Sequence, residues 1–355
     1  MRTGSNQVIQ DILTSLVTET PVTPGQWQAL IDWELGDRRR AQAWGITPGN
    51  VVDQLQNRLT WLKQVAPQHP NLPLPQASIT PYLIMYWQLW LPFAMILVQA
   101  RLQRPTPLIQ GILGGQGTGK TTLTQILRQI LALRGYHAVA LSLDDLYKTY
   151  AERCQLRQAD PRLRWRGPPG THDIPLGIAT LERLATAQPG DWLDIPRFDK
   201  SLWGGEGDRV APERVQGVDM VLFEGWFVGV RPIADAEFDR APAPIQTEPD
   251  RQFARDMNRQ LQAYLPLWER LHQLMILTPE DYRISQLWRR QAEQRMQASG
   301  KPGMSPGEID QFVEYFWRAL HPDLFIAPLK HNPRYVNLVV EMNLDRTPRA
   351  IYCPD

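Results

Sequence analysis

The sequence predicts an α/β fold, in which a mostly parallel β-sheet is flanked by helices and preceded by a helical N-terminal subdomain. From Pro107 onward, short apolar runs alternate with helical stretches, as in β-strand–helix–β-strand units. A glycine-rich segment separates the first of these runs from the helix that follows it. The residues before Pro107 show helical patterns instead.

The composition is that of a folded globular protein. The chain has 355 residues, 43% hydrophobic and 21% charged, which excludes general disorder and a disulfide-stapled miniprotein. The net charge of +1 gives no bulk electrostatic reason to bind nucleic acid or an anionic membrane. Cys154 and Cys353 form neither a disulfide framework nor a zinc motif, which favours a reducing compartment. Residues 1–10 lack the pattern of a secretory signal, so we expect a cytoplasmic protein.

Residues 1–100 predict a helical subdomain. The segment Thr23-Pro24-Gly25-Gln26 has the form of a capping box with proline at the first helical position. Thr47-Pro48 opens a second segment, in which apolar residues recur at helical spacing: Val51, Leu55, Leu59 and Leu62. Residues 67–81 contain five prolines and predict a stiff connector. The sequence leaves the function of this subdomain open.

Residues 82–98 are almost wholly apolar and nearly long enough to span a bilayer. Gln88 and Pro92 interrupt the run, and no flanking cluster of Lys or Arg marks an inside face. We therefore expect a buried helix kinked at Pro92, with a membrane span as the alternative.

The remaining residues, 101–355, predict one α/β domain. Six apolar runs are candidate strands of its sheet: residues 108–113, 138–143, 192–195, 218–223, 273–277 and 336–341.

The most specific motif is Gly114-Gly115-Gln116-Gly117-Thr118-Gly119-Lys120-Thr121, followed by Thr122, a full G-x-x-x-x-G-K-[ST] match. Its glycines let backbone N–H groups face a phosphate, and the helix N-terminus adds positive potential. Lys120 can reach the β- and γ-phosphates, and the Thr121 hydroxyl can bind Mg²⁺. A glycine-rich turn without a ligand is the alternative. The GTPase signatures Asn-Lys-x-Asp and Asp-x-x-Gly are absent from the sequence, which favours ATP.

Carboxylates follow two of the predicted strands. Asp144 and Asp145 end the second run, at the sheet edge where open α/β folds bind ligands. A carboxylate there can accept the proton of an attacking hydroxyl or hold Mg²⁺ through water. Alternatively, one of the pair caps the next helix. Glu224 ends the fourth run and is the candidate for a second acid that organises Mg²⁺.

Residues 80–350 resemble the P-loop kinases of small molecules, a group that includes phosphoribulokinase, uridine kinase, pantothenate kinase and, in particular, plant-type D-glycerate 3-kinase. Besides the glycine-rich motif, the segments that carry the resemblance are SLDDLY (142–147), RGPPGTHD (166–173), PRFDKS (196–201), GGEGDR (204–209), LFEGW (222–226) and GKPGMS (300–305).

The resemblance implies that ATP and Mg²⁺ serve the phosphorylation of D-glycerate to 3-phosphoglycerate, a step of photorespiratory salvage. It also implies a five-stranded parallel core of the P-loop nucleoside triphosphate hydrolase type, with a mobile lid around residues 283–305. It assigns the catalytic base to Asp144, an acceptor contact to Tyr147, and the contact of the lid with the transferring phosphoryl group to Arg289 or Arg290.

A small anion such as glycerate needs Arg or Lys beside its carboxylate. Arg197, Lys200 and Arg209 surround a glycine-rich loop and are the candidates, although a solvated charged loop is the alternative. His172 and Asp173 are further candidates for contact with the acceptor, and a His that stabilises the turn is equally compatible with the pattern.

Arginines are frequent in the predicted lid helix. Helical spacing places Arg283 and Arg290 on one face and Arg289 on another, so only part of the set, which also includes Arg295, can point at one phosphate. A solvated helix face paired with acidic neighbours is the alternative.

Two other functions remain open at this point. One is the same chemistry on another acceptor, such as uridine, pantothenate or a sugar phosphate. The other is a regulatory nucleotide-binding ATPase that acts through the N-terminal helices. In either case we expect a small-molecule or nucleotide ligand and neither nucleic acid nor membrane as a partner. The oligomeric state and the carbon phosphorylated are not predicted.

Overall fold

The computed structural model describes residues 2–72, 74–188, 190–298 and 303–355. In the described part of the chain, six α-helices precede the sheet: α1 (Arg2–Val17), α2 (Pro24–Gly36), α3 (Arg38–Ala43), α4 (Val51–Val65), α5 (Leu83–Met85) and α6 (Leu91–Leu102). The capping box predicted at Thr23 is formed, with Gln26 as its partner. The second predicted helix begins at Val51 rather than at Thr47, because the Asn50 side chain accepts a hydrogen bond from the Thr47 N–H and closes a turn first.

The main sheet has six strands in the order β2-β5-β1-β6-β7-β8. Five of them run parallel: β1 (Leu108–Gly114), β2 (Ala138–Ser142), β5 (Met220–Gly225), β6 (Gln273–Pro279) and β7 (Leu338–Met342). The edge strand β8 (Pro348–Tyr352) pairs with β7 in the antiparallel direction. The predicted parallel α/β core is therefore confirmed, and it contains the five parallel strands that the resemblance implied.

One predicted strand does not belong to this sheet. Residues 192–195 begin β3 (Trp192–Asp199), which forms a separate antiparallel hairpin with β4 (Asp208–Gln216). Leu193 and Ile195 are buried, while Trp192 and Asp194 are exposed. Such alternation is typical of a strand covered on one face, whereas the central strands of a parallel sheet are buried on both faces. The prediction of six strands in one sheet was wrong for this run, and the sixth strand is β8.

Helices cover both faces of the sheet. Those that follow β1 are α7 (Lys120–Ala132), α8 (Tyr150–Ala159), α9 (Ile174–Thr186), α10 (Glu248–Gln260), α11 (Leu265–Trp268), α12 (Ile284–Ala298), α13 (Pro306–Ala319) and α14 (Pro322–Leu329). Alternate residues of β1 enter different cores, because successive side chains of a strand point to opposite faces. Leu108 and Ile112 pack with α7 and the N-terminal helices, and Ile109 and Leu113 pack in the core on the other face.

The apolar run is a helix within the fold. One described helical stretch, Thr80–Leu102, is long and apolar enough to cross a membrane, and 67% of its most apolar window is buried inside the protein. A π-helical turn, Tyr86–Trp90, precedes Pro92, which lies in the first turn of α6. Because proline has no N–H to donate, a carbonyl of the preceding turn loses its helical partner, and the Trp87 carbonyl accepts a hydrogen bond from the Arg58 guanidinium over 3.0 Å. This burial agrees with the expected core helix.

Candidate active site

The glycine-rich loop connects β1 to α7 at the carboxyl edge of the sheet. Gly117 and Gly119 have φ angles of +76° and +85°, a conformation that glycine adopts without strain. The Lys120 ammonium donates a hydrogen bond to the Gly115 carbonyl over 3.1 Å. Burial lowers the pKa of Lys120, against the opposing effect of the Glu224 and Asp144 carboxylates. The loop thus presents a buried cation at the start of a helix, where phosphates bind.

A cavity of about 620 Å³ opens beside this loop. The predicted site residues that line it are Gln116, Gly117, Lys120, Thr121, Asp144, Tyr147, Lys200, Glu224 and Arg289. They come from the segments that follow β1 and β2, from the start of α7, from the end of β5, from the tip of the β3–β4 hairpin and from α12. Gly114, Gly115, Thr118, Gly119 and Thr122 form the back of the loop and do not line the cavity. Residues far apart in the sequence thus meet at one site.

The two adjacent aspartates occupy different environments. Asp145 accepts hydrogen bonds from the Ser142 and Phe198 N–H groups and lies 3.0 Å from Arg197. Asp145 therefore completes the capping box of the short helix that follows β2, in which Ser142 is the N-cap, and this agrees with the alternative that one of the pair has a capping role.

Asp144 lines the cavity, with its Oδ2 atom 2.6 Å from Lys200 Nζ. Burial opposes its negative charge, yet Lys200 and the Tyr147 hydroxyl together hold the pKa of Asp144 below its usual range. Asp144 is therefore ionised at neutral pH and can accept a proton from a hydroxyl group placed beside it.

Glu224 and Thr121 lie together at the base of the cavity. The Thr121 hydroxyl donates a hydrogen bond to Glu224 Oε1 over 2.9 Å, and Glu224 is buried at the end of β5. Within the described ranges, no three His, Cys, Asp or Glu side chains cluster as a self-sufficient metal site. A hydroxyl and a carboxylate nevertheless suit Mg²⁺, which usually takes one or two protein oxygens and completes its shell with phosphate oxygens and water.

The β3–β4 hairpin carries Lys200 to the cavity at its tip. Arg209 holds the base of the tip, donating to the Tyr147 carbonyl over 2.9 Å and to Asp173 over 2.7 Å. Arg197 is paired with Asp145 and with Glu213. Arg197 and Arg209 are paired with carboxylates and do not line the cavity. Of the three predicted cations, Lys200 lines it.

His172 lies behind Tyr147 and not in the cavity wall. It is 2% exposed, stacks on the Tyr147 ring at 4.6 Å, and its Nδ1 atom is 2.7 Å from the Tyr264 hydroxyl. Burial lowers the pKa of His172 to about 3, so the ring is neutral. Asp173 caps α9 through the Leu176 N–H. The structure thus places His172 and Asp173 as supports of Tyr147 and of the hairpin.

The two lid arginines point in different directions. Arg289 lines the cavity, pairs with Glu293 at 2.8 Å and lies over the Phe312 ring. Arg290 pairs with Asp310 at 2.6 Å and does not line the cavity. Arg283 pairs with Asp281 at the start of the lid. The side chain of Arg295 and residues 299–302 lie outside the described residues.

Sequence reasoning missed two arginines. Arg166 lines the cavity and donates to the Gly205 and Glu206 carbonyls of the hairpin tip. It opens the segment RGPPGTHD, so the resemblance contained a signal for it. Arg346 lies in the turn between β7 and β8, donates to the Gly117 carbonyl over 2.9 Å and stacks over the Trp288 ring. No local pattern marks Arg346, because its contact joins residues 229 positions apart.

Comparison with known proteins places this geometry among kinases. No family model matches the chain. It is 31% identical over 255 residues to the chloroplastic D-glycerate 3-kinase of Arabidopsis thaliana, an overlap of 68% of this chain and 54% of that protein. The chain therefore spans about half the length of this curated relative. It is also 31% identical over 218 residues to the uncharacterized kinase mug58 of Schizosaccharomyces pombe, covering 78% of that protein.

A solved structure shares the architecture. The D-glycerate 3-kinase of Cryptococcus neoformans superposes with a TM-score of 0.67 at 27% sequence identity, over 74% of this chain and 98% of that one. The shared region therefore leaves about a quarter of the present chain without a counterpart in that structure.

Proposed function

This chain belongs to the family of P-loop kinases that includes D-glycerate 3-kinase, and from that membership we propose that it transfers the γ-phosphoryl group of ATP to the 3-hydroxyl of D-glycerate. The single observation that carries the proposal is the cavity itself. It joins a phosphate-binding loop to an ionised aspartate and to cations that can hold a carboxylate.

The proposed base is Asp144. Its Oδ2 atom faces Lys200 in the cavity, and Lys200 and the Tyr147 hydroxyl lower its pKa and so favour the ionised form. A hydroxyl placed beside Asp144 loses its proton to the carboxylate as its oxygen attacks the γ-phosphorus, and ADP leaves. Lys120 lies on the phosphate side of the same cavity and compensates the charge of the transferring group.

We assign Mg²⁺ to Thr121, which follows Lys120 in α7, and to Glu224, at the end of β5. When bound, the ion supplies positive charge to the phosphate oxygens. Asp144 is a further contributor through water. The protein residues keep the Thr121 hydroxyl and the Glu224 carboxylate within one hydrogen bond of each other, so little reorganisation is needed.

Three further cations reach the cavity from different elements, among the residues that the structure describes. Lys200 comes from the hairpin tip, Arg166 from the loop before α9, and Arg289 from the lid helix. We place the acceptor carboxylate with Lys200 and Arg166, because both lie on the hairpin side beside Tyr147. Arg289 is then left for the transferring phosphoryl group, where spread negative charge needs compensation.

The test is ADP release with Mg-ATP and a panel of acceptors: D-glycerate, L-glycerate, uridine, pantothenate and ribulose 5-phosphate. We expect selective turnover of D-glycerate and a product phosphorylated at carbon 3, identified by NMR. Turnover of another acceptor alone would replace glycerate in the proposal. ATP binding without any acceptor-stimulated ADP release would favour the regulatory ATPase instead.

Two variants make the result specific to the loop. Lys120→Ala should abolish turnover, because it removes the buried cation of the phosphate site. Lys63→Ala is the matched control, since Lys63 lies on α4 and makes a surface ion pair with Glu19. Activity within tenfold of the wild type in Lys120→Ala would refute the assignment of the loop. A cytoplasmic location and a role in photorespiratory salvage are proposals that fractionation and metabolite tracing would test.

A further inference from the structure

A second cavity, of about 800 Å³, lies between the N-terminal helices and the edge strand β8. Its walls include Trp33 and the start of α3 on one side, and Arg349 and Ile351 of β8 on the other. Gln88, from the π-helical turn, forms part of the wall. This cavity shares no lining residue with the kinase cavity, so its chemistry is separate from phosphoryl transfer.

The cavity carries an excess of positive charge. Four arginines line it, against two carboxylates: Arg38, Arg39, Arg40 and Arg349, against Asp37 and Glu341. Several of these charges already have partners. Glu341 pairs with Lys330, Arg40 pairs with Glu34, and Arg349 pairs with Glu280.

Arg38 and Arg39 are the two cations left over. Neither has an ion-pair partner in the part of the chain that the structure describes. The Arg39 guanidinium carbon lies 3.8 Å from the centre of the Tyr352 ring, a cation–π contact that leaves the positive charge unneutralised. Two guanidinium groups at a cavity that make no ion pair with a described carboxylate suit a dianion, because Arg binds phosphate and carboxylate oxygens in a forked geometry.

The second observation that indicates a ligand is Gln88. Its side chain lines the cavity, the residue is 8% exposed, and its amide has no hydrogen-bond partner among the described residues. A ligand with oxygen atoms would accept the two N–H bonds that the Gln88 amide can donate.

We propose that this cavity is a binding site for a small organic phosphate, separate from the active site. Arg38 and Arg39 bind the phosphate oxygens, and the Gln88 amide donates to a polar group of the ligand. Trp33 and Ile351 supply the apolar wall against which the carbon part packs. The size of the cavity favours an organic phosphate over a bare ion, because a volume of about 300–1,000 Å³ is that of a metabolite site.

The first test is calorimetric titration with inorganic phosphate and with 3-phosphoglycerate at constant ionic strength, in the presence of a saturating non-hydrolysable ATP analogue. The Arg38→Ala, Arg39→Ala double variant should weaken binding at this site at least tenfold. Arg183→Ala is the matched control, because Arg183 is an exposed arginine on α9 away from both cavities. Lys120→Ala should retain the binding, whatever the acceptor of the kinase is.

Unchanged binding in the double variant would overturn the proposal, and so would loss of all binding in Lys120→Ala. A second measurement uses the wild-type protein and therefore does not depend on whether the double variant folds. Phenylglyoxal modification followed by mass spectrometry should show that 3-phosphoglycerate protects Arg38 and Arg39 severalfold and leaves Arg183 unprotected. Equal modification of Arg38 and Arg39 with and without the phosphate ester would also overturn it.

Discussion

Asp144 and Asp145 are adjacent in the sequence, yet Asp144 faces the candidate active site and Asp145 makes hydrogen bonds within the fold. Asp145 accepts two backbone N–H groups and pairs with Arg197, whereas Asp144 faces the cavity beside Lys200. The short helix Leu143–Leu146 causes the difference, because consecutive residues of a helix point in different directions. The same substitution at each of the two positions therefore serves as the matched control for the other.

We expect Asp144→Asn to lower kcat by about 100-fold or more with little change in the KM for ATP, since it removes a general base. Asp145→Asn should keep kcat within severalfold and lower the free energy of unfolding by about 1–3 kcal/mol, since it weakens buried hydrogen bonds. Steady-state kinetics and urea unfolding of both variants measure this. Loss of kcat in Asp145→Asn, with an active Asp144→Asn, would reverse the two assignments.

His172 makes the stability depend on pH. Its pKa is lowered from 6.5 to about 3, so between these values the unfolded chain binds a proton that the folded chain excludes. Stability from this residue is complete above pH 6.5 and is lost as the pH falls, by about 2 kcal/mol at pH 5. His172→Phe keeps a ring against Tyr147 and removes the titration.

The measurement is urea unfolding of wild type and His172→Phe at pH 8 and pH 5. His321 also has a pKa lowered by burial, so only the difference between the two proteins reports on His172. The wild type should lose about 2 kcal/mol more than the variant on acidification. Equal losses would show that His172 does not titrate as a buried neutral ring.

Sequence analysis identified the candidate site residues that a local sequence pattern marks. Lys120, Thr121, Asp144 and Glu224 each follow a strand or a glycine-rich turn, and all four line one cavity. Sequence reasoning could not tell that Arg197 and Arg209 are occupied by carboxylates, because their partners include residues more than 30 positions away. Tertiary pairing, not residue type, decides which cation is available.

Among the elements, the β3–β4 hairpin determines where Lys200 lies. Arg153 donates to the Glu206 and Gly207 carbonyls, and Arg209 joins the hairpin to Tyr147. The hairpin could not be predicted from 192–195 alone, because β4 is polar and largely exposed and carries no apolar run. Strand pairing across a long glycine-rich turn was the missing information.

Gly207→Ala tests this element. Gly207 has a φ of +75°, and an added Cβ would overlap the Phe198 ring and lie 2.9 Å from the Asp199 carbonyl. We expect the tip to shift and the KM for the acceptor to rise by about tenfold. Gly217→Ala is the matched control, with a φ of +64° and no atom within 4 Å of its Cβ.

Both variants should lose about 1–2 kcal/mol of stability from backbone strain, as measured by urea unfolding. Only Gly207→Ala should change the acceptor KM, because Gly217 lies at the opposite end of the hairpin from Lys200. An equal change in acceptor KM for both would mean that the tip does not position Lys200.

Across the whole molecule, the N-terminal helices and the sheet share one core. Leu97 and Leu30 belong to the same buried cluster as Ile112 of β1 and Leu127 of α7. A boundary near residue 100 stays a prediction about domain organisation. The continuous core predicts that the helices and the nucleotide-binding loop unfold together.

Leu97→Ala should lower the free energy of unfolding by about 2–5 kcal/mol, because Leu97 is completely buried. Leu102→Ala, at the end of the same helix and 64% exposed, should change it by less than about 0.5 kcal/mol. Circular dichroism and ATP-analogue binding should follow one transition in both variants. Loss of helical signal at a denaturant concentration where nucleotide still binds would show two separate units.

The order of the strands in the sheet delays the completion of the sheet while the chain is being synthesised. The central strand β1 pairs with β5 and β6, whose residues follow it by on the order of 100 positions or more. At roughly 5–20 residues per second, a ribosome needs about 5–20 s to supply the first of these neighbours. During that interval both hydrogen-bonding edges of β1 lack their final partners. The N-terminal helices, already synthesised, are available to cover one apolar face of β1 and thereby limit misassembly of the nascent chain.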